Sequence, residues 1–358
     1  MTGKGLQIHI FSSENLYTQK YLEVLERNFD ISSSLFIYKK SLYKKFEYSE
    51  NLNGRILRIN NNLKFFYRLL PELRRSSSII LHQFPSGPAL LFWNIFRGLF
   101  SKITWIIWGG DLYKYMEAKT SLSARFYEVL RKRIIKHISF IASFVPGDYK
   151  IAKEVYKSKA TWFQIIYPLP VDFIGYSNTR SEVCTTDVLK ILCGNSGNPS
   201  NNHTEILTML EPLKNTNIRI YCPLSYSGDN DYIKRIQALG KTLFGEKFIP
   251  MLEILESPQY LDLLFDIDVA FMNHKRQQGL GNILPLLYFG KKVYMHSDIS
   301  TYIYLKSLGC NLYDIASFHA SFKDLVKTDN DKLNINKEII GNLLSEKAFV
   351  KFWNQIIN

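Results

Sequence analysis

Lys275-Arg276-Gln277-Gln278-Gly279-Leu280-Gly281-Asn282 is bracketed by an apolar run, Val269 to Met272, and by a helix-forming stretch, Ile283 to Phe289. A strand that ends in a polar, glycine-spaced turn and feeds a helix presents free backbone N–H groups at a helix N-terminus, where phosphate or diphosphate binds. The stretch reads as one βα step of a parallel sheet whose turn clamps the diphosphate of a nucleotide-linked donor.

The same grammar occurs upstream. Leu189 to Cys193 reads as a buried strand, Gly194-Asn195-Ser196-Gly197 as a turn, and the residues from Ser200 onward as a helix capped by Ser200 or Asn201. Either copy alone is most simply an ordinary βα connection. The pair, with Arg276 and the adjacent Gln277 and Gln278, points to a ligand. Asn282, at the start of the following helix, and Tyr226, beside another predicted strand end, join the candidate donor contacts.

Outward from these turns, strand-like and helical runs alternate along the chain. Strands are expected at Leu6 to Phe11, Ser34 to Tyr38, Ile56 to Ile59, Ser78 to Gln83, Thr104 to Trp108 and Ser139 to Ser143. The helices between them are placed near Asn15 to Asn28, Leu63 to Leu70, Ala89 to Phe100, Ser121 to His137 and Gly147 to Tyr156. The pattern lapses into small and polar residues over Val171 to Asp187, read as a linker. It restarts with strands at Leu189 to Cys193, Ile218 to Cys222, Phe248 to Met251, Val269 to Met272 and Lys292 to His296. Helices near 200–213, 230–243, 258–266, 281–289 and 300–308 lie between and after those strands. The expected fold is α/β: two Rossmann-like domains, 1–172 and 188–344, facing each other across a cleft. A final helix, 345–358, carries Phe349, Phe352, Trp353 and Ile356 at helical spacing and is expected to return to the first domain.

Composition sets limits. The chain has 358 residues, 46% hydrophobic and 22% charged, which suits a globular protein of two ordinary domains. Cys184, Cys193, Cys222 and Cys310 show neither C-x-x-C spacing nor a disulfide framework, which fits a reducing cytoplasm. No signal peptide or membrane span is read, and the most apolar window, Pro88 to Phe100, is too short and carries Arg97. The net charge of +13 is one-sided: residues 1–172 hold 26 Lys+Arg against 13 Asp+Glu. That excess suggests an anionic surface or a phosphorylated acceptor, with no motif for nucleic acid. The segment Arg125 to His137 reads as an amphipathic basic helix lying on a membrane or against a core.

Chemistry in the first domain centres on Trp108-Gly109-Gly110-Asp111-Leu112-Tyr113. Here a buried strand breaks at two glycines and delivers a carboxylate to its C-terminal end. Asp111 is read as a general base or, alternatively, as an N-cap. His82 and Asp148 are the further catalytic candidates. Gln83, Phe84, Trp108 and Tyr113 lie at strand ends where an acceptor could stack or hydrogen-bond. Asp266 and Asp268 match a D-x-D pattern but fall at the wrong end of their strand, so no metal site and no cofactor is expected.

Taken together, the Trp108–Tyr113 segment, Gly194–Gly197 with Asn201 and His203, and Arg276–Gly281 resemble the TDP-N-acetylfucosamine (Fuc4NAc):lipid II transferases. This is glycosyltransferase family fifty-six, of the two-Rossmann GT-B type. The resemblance implies inverting, metal-independent transfer of a deoxy-acetamido sugar from a TDP donor to a glycan on a polyprenyl diphosphate. It implies a peripheral protein at the cytoplasmic face of the inner membrane, making common antigen, O-antigen or capsule. Carried over by motif, Gly194, Asn195, Ser196, Gly197, Arg276, Gln277, Gln278, Gly279 and Gly281 become donor contacts and Asp111 a candidate base. The competing readings are a nucleotide-sugar epimerase of the same architecture and a non-enzymatic module binding anionic ligands or membrane surfaces.

Overall fold

The computed structural model describes residues 5–39, 46–59, 63–119, 121–179, 188–326 and 330–357. The chain forms two compact units. The first comprises residues 1–170 and 344–358, and the second comprises 171–343.

Unit 1 is built on a seven-stranded parallel sheet. Its strands are β1 (Gln7–Phe11), β2 (Ser34–Lys39), β3 (Ile56–Ile59), β4 (Ser78–His82), β5 (Ile103–Ile107), β6 (Phe140–Ser143) and β7 (Thr161–Gln164), in the order β3-β2-β1-β4-β5-β6-β7. Every residue of β5 is buried, as a central parallel strand covered on both faces must be. One face packs on Leu69 and Leu73, Phe92 and Trp93, Ile134 and Ile135, and Tyr156, from the helices Leu63–Arg75, Ala89–Ile95, Leu122–His137 and Pro146–Tyr156. The other face packs on Tyr21, Leu22 and Leu25 of the helix Leu16–Asn28, together with Phe349, Trp353 and Ile357 of the helix Glu346–Ile357. Asn15 and Thr18 close a reciprocal capping box at the start of Leu16–Asn28, satisfying two otherwise orphaned N–H groups.

Unit 2 repeats the plan with six parallel strands: β8 (Leu189–Cys193), β9 (Ile218–Pro223), β10 (Phe248–Met251), β11 (Val269–Met272), β12 (Lys292–Met295) and β13 (Tyr313–Asp314). Their order is β10-β9-β8-β11-β12-β13. In both sheets the strand order reverses beside the first strand, between β1 and β4 and between β8 and β11. Connections diverge at such a point and leave a crevice beyond the carboxyl ends of the two strands.

Several sequence expectations are corrected. The linker expected over Val171 to Asp187 contains the helix Phe173–Thr179, which belongs to unit 2 because Phe173 packs on Tyr288 and Phe289, and Tyr176 on Phe265. Residues 180–187 lie outside those described. The helix expected over Ala89 to Phe100 stops at Ile95 and resumes as a 3-10 turn, Arg97–Lys102. The helix expected from Ser200 begins at His203, after a 3-10 turn whose Ser200 N–H is capped by the Asn198 side chain, so neither Ser200 nor Asn201 is the cap. Strands β7 and β13 and the helices Glu50–Asn53, Phe322–Val326 and Asn330–Leu343 have no counterpart in the sequence reading.

Candidate functional site

In unit 2 both glycine turns leave the sheet at the switch point, one from β8 and one from β11, and Asn201 ties them together. Its Oδ1 accepts from the Asn195 backbone N–H at 2.8 Å and from His274 Nε2 at 2.8 Å. Its Nδ2 donates to Ser196 O at 2.9 Å and Asn198 O at 2.9 Å. His274 Nε2 also lies 3.0 Å from Asn195 Oδ1, Gln278 Nε2 donates to the same oxygen at 3.3 Å, and Ser200 Oγ donates to Gln278 Oε1 at 2.7 Å. Two acceptors at Nε2 require the proton there, so the neutral ring carries its proton on Nε2 and leaves Nδ1 as an acceptor. Nδ1 is buried without a hydrogen-bond partner. Burial, and then the nearby Arg276 charge, pushes the His274 pKa down to about 3.

The glycines make this closeness feasible. Gly194 has φ +71°, and a Cβ on it would lie 2.7 Å from Asn201 Oδ1 and 2.8 Å from His203 Nε2. Gly279 has φ +76°, and a Cβ there would meet His274 Cε1 at 3.1 Å. Gly279 stands at the start of the helix Leu280–Tyr288, which has no side-chain cap, so the N-terminal amides beside Gly281 are free of side-chain competition.

The expected donor contacts separate by exposure into three groups. Gly194, Asn195, Ser196, Gly197 and Gln277 are buried and build the turns. Asn282 is also buried and donates to Tyr260 Oη at 2.7 Å. Arg276, Gln278, Gly279 and Gly281 are half-buried. Tyr226 is exposed, and its hydroxyl accepts from Asn195 Nδ2 at 3.2 Å. His274 escaped the sequence reading because a lone histidine after a strand has no spacing signature. His203, named only through the resemblance, is buried against the Tyr232 hydroxyl at 2.9 Å.

In unit 1 the structure revises the catalytic candidates. Asp111 is 3% exposed, and its carboxylate accepts from Phe84 N at 2.8 Å, Trp105 Nε1 at 2.8 Å and Trp108 N at 3.0 Å. Burial raises its pKa, against those donors and the Arg131 charge. Asp111 thus anchors its own turn, with the Trp105 indole and the β4 loop closed over its carboxylate. His82 is buried with both nitrogens engaged: Nε2 with His9 Nδ1 at 3.0 Å, and Nδ1 with the Tyr167 hydroxyl at 3.2 Å. Desolvation pushes its pKa well down. Asp148, also buried, is the third residue of Pro146–Tyr156, whose N-cap is Val145.

Of the expected acceptor contacts, Phe84 and Tyr113 are buried, Phe84 beneath the Arg131 guanidinium at 4.8 Å. Neither ring is available to stack on a sugar. Gln83 is exposed with φ 105°, and Trp108 is half-buried, edge-on to Tyr17 and Tyr167. Asp111 holds these two loops side by side through its bonds to Phe84 N and Trp108 N. Asp266 and Asp268, at the opposite end of β11, are occupied by Lys190: Nζ reaches Asp266 at 3.2 Å, and the backbone N–H donates to Asp268 at 2.8 Å.

Two parallel α/β units, each opening at a switch point, with a polar network binding two glycine turns in the second, have the GT-B fold. Among the solved structures that share it are three glycosyltransferase-like folds. OtsA matches with TM-score 0.68 at 9% identity, with 99% of each chain covered. HepE from Anabaena in complex with UDP matches with TM-score 0.67 at 10% identity, with 98% of each covered. WaaG, a glycosyltransferase involved in lipopolysaccharide biosynthesis, matches with TM-score 0.57 at 9% identity, with 98% of each covered. At such identities the likeness is one of fold. Residues 73–302 match the family described as 4-alpha-L-fucosyltransferase, glycosyl transferase group 56, and the chain belongs to that family.

Proposed function

We propose that the chain transfers a deoxy-acetamido sugar of the Fuc4NAc type from a TDP-sugar to a polyprenyl-diphosphate-linked glycan. The transfer inverts the anomeric centre and uses no metal. Its setting is bacterial surface-polysaccharide synthesis (common antigen, O-antigen or capsule), with the chain peripheral at the cytoplasmic face of the inner membrane. The observation that carries the reading is the Asn201–His274 bond, which holds the β8 turn and the uncapped helix N-terminus after β11 against each other at the switch point. Membership of a fucosyltransferase family supports a fucose-like sugar, and the UDP in the HepE structure supports a nucleotide diphosphate as ligand class.

In this reading unit 2 receives the nucleotide sugar and unit 1 the acceptor. An acceptor hydroxyl attacks the anomeric carbon from the face opposite the leaving diphosphate, its proton leaving to water as the bond forms. The bond to that diphosphate breaks as the new glycosidic bond forms. The charge left on the diphosphate is met by the Arg276 guanidinium and the amides at the start of Leu280–Tyr288.

The test is nucleotide affinity. Arg276→Ala should weaken TDP binding by about tenfold or more, because a charge-assisted contact to phosphate is lost, while thermal unfolding stays near wild type. A thermal-shift comparison of TDP, UDP, GDP and CMP identifies the base, since the tightest ligand stabilises most. Unchanged calorimetric affinity in Arg276→Ala would remove the clamp from this turn. Loss of transfer in EDTA, restored by a divalent cation, would overturn the metal-independent mechanism.

A further inference from the structure

We propose that the outer face of the helix Leu122–His137 docks unit 1 on an anionic phospholipid bilayer. Leu122, Phe126 and Val129 are 83%, 52% and 66% exposed, at i, i+4 and i+7 on one face. Arg133 and Lys136 continue that face at i+11 and i+14, and Arg125 and Lys132 flank it; all four are exposed. The core-facing side is a different one: Ile134, Ile135, Glu128 and Arg131 are buried. The amphipathic reading of this segment is thus kept, but with its faces reassigned. Arg131 points inward, bonds the Asp111 carbonyl and the Tyr156 hydroxyl, and contributes nothing to the surface.

Two elements packed on this helix each carry a further exposed apolar side chain. Ile95, 62% exposed, ends the helix Ala89–Ile95, whose Asn94 Nδ2 donates to Leu130 O at 3.1 Å. Met116, 56% exposed, lies in the 3-10 segment Leu112–Lys119, which packs along the same helix. Single exposed apolar residues are ordinary, but five such side chains on adjoining elements with a cationic border mark an interaction surface.

Charge decides the partner. The only acidic residue of the helix, Glu128, is buried beside Arg131, so every exposed charge on the helix is positive. A second copy of this chain would set Arg125, Arg133 and Lys136 against their own like charges. An anionic bilayer takes the apolar side chains at the acyl boundary and the cations at the phosphate level. This deepens the lipid-linked acceptor reading by naming the surface that would bring unit 1 to its acceptor. Vesicle binding needs neither donor nor acceptor, so it can fail while transfer succeeds, and the reverse.

The experiment is co-sedimentation of the full chain with vesicles of phosphatidylglycerol and phosphatidylcholine, against phosphatidylcholine alone. The wild type should bind the anionic vesicles, less tightly as salt rises. Arg133→Glu with Lys136→Glu should weaken binding on the order of tenfold or more. Leu122→Ser, Phe126→Ser and Val129→Ser together should weaken it at least as much. Because these positions are exposed, thermal unfolding should be unchanged in both variants, which separates lost docking from lost fold. Lys241→Glu, an exposed reversal in unit 2, should bind like the wild type. Failure of the wild type to sediment with anionic vesicles, or wild-type binding by the triple serine variant, would overturn the proposal. So would a wild-type dimer that the serine variant converts to monomer, since the face would then belong to a second copy.

Discussion

His274 Nε2 lies 2.8 Å from Asn201 Oδ1, and through this bond the turn after β11 is fixed to the turn after β8. Asn201 is fully buried and uses both ends of its amide, so no other side chain fills its place. Asn201→Ala would leave the Asn195 N–H and the Ser196 carbonyl seeking partners, and the His274 Nε2–H with Asn195 Oδ1 as its remaining acceptor. The expected outcome is a loss of about 2–4 kcal/mol in unfolding free energy, together with weaker nucleotide binding, measured by denaturant titration and calorimetry.

Gly194→Ala attacks the same junction from the backbone. An alanine at φ +71° is strained, and its Cβ would displace the Asn201 amide. Destabilisation of about 1–3 kcal/mol is expected, and TDP affinity should fall with it. A fully stable Gly194→Ala variant with wild-type nucleotide affinity would mean that the close packing at Asn201 is dispensable.

Asp111→Asn separates a structural carboxylate from a chemical one. The variant can keep its oxygen on the Phe84 and Trp105 donors, but then turns its NH2 toward the Trp108 N–H. Loss of that bond and the resulting donor–donor contact should cost about 1–3 kcal/mol. A drop in melting temperature that matches the drop in turnover would assign Asp111 to holding the turn. Collapsed turnover at unchanged melting temperature would restore it as the base.

The buried histidines set an acid limit. Burial pushes His9 to about 3, His274 to about 3 and His203 to about 4, and lowers His82 as well. Each stays neutral in the folded chain while its unfolded counterpart takes a proton below about pH 6.5. The unfolded state then binds more protons, so this contribution to stability is complete above about 6.5 and is lost as pH falls toward the folded values. Each group contributes a slope of up to about 1.4 kcal/mol per pH unit in that window. Melting temperature should fall steadily from pH 7 to pH 5, and His203→Gln should flatten the profile.

Alternation and turn chemistry made most of the βα order readable, because strands such as Ile103–Ile107, apolar but for Thr104, and Val269–Met272 are ended by glycine or a polar turn. The glycine turns after β8 and β11 were legible for the same reason. The missed elements are those whose stability comes from their neighbours. Thr161–Gln164 is an edge strand with no fully buried residue, and Phe173–Thr179, polar in sequence, is anchored by Phe173 and Tyr176 on side chains far along the chain. Burial was the other blind spot. A carboxylate after a strand looks available in one dimension, but the Trp105 indole that covers Asp111 comes from the same strand, and the Phe84 amide from the one beside it. The inward turn of Arg131 and the outward turn of Phe126 likewise depend on which side of the helix meets the sheet, which charge spacing does not disclose.

Trp353 is fully buried in unit 1 and donates from Nε1 to Ile166 O at 2.6 Å, with Tyr21, Phe349 and His82 around its ring. Unit 2, by contrast, is one uninterrupted stretch of chain, 171–343. A ribosome therefore releases everything unit 2 needs before it releases the helix that completes unit 1. Although its first strand is made first, unit 1 must wait, with Tyr21 and its aromatic neighbours uncovered, and the second unit is positioned to finish folding ahead of it.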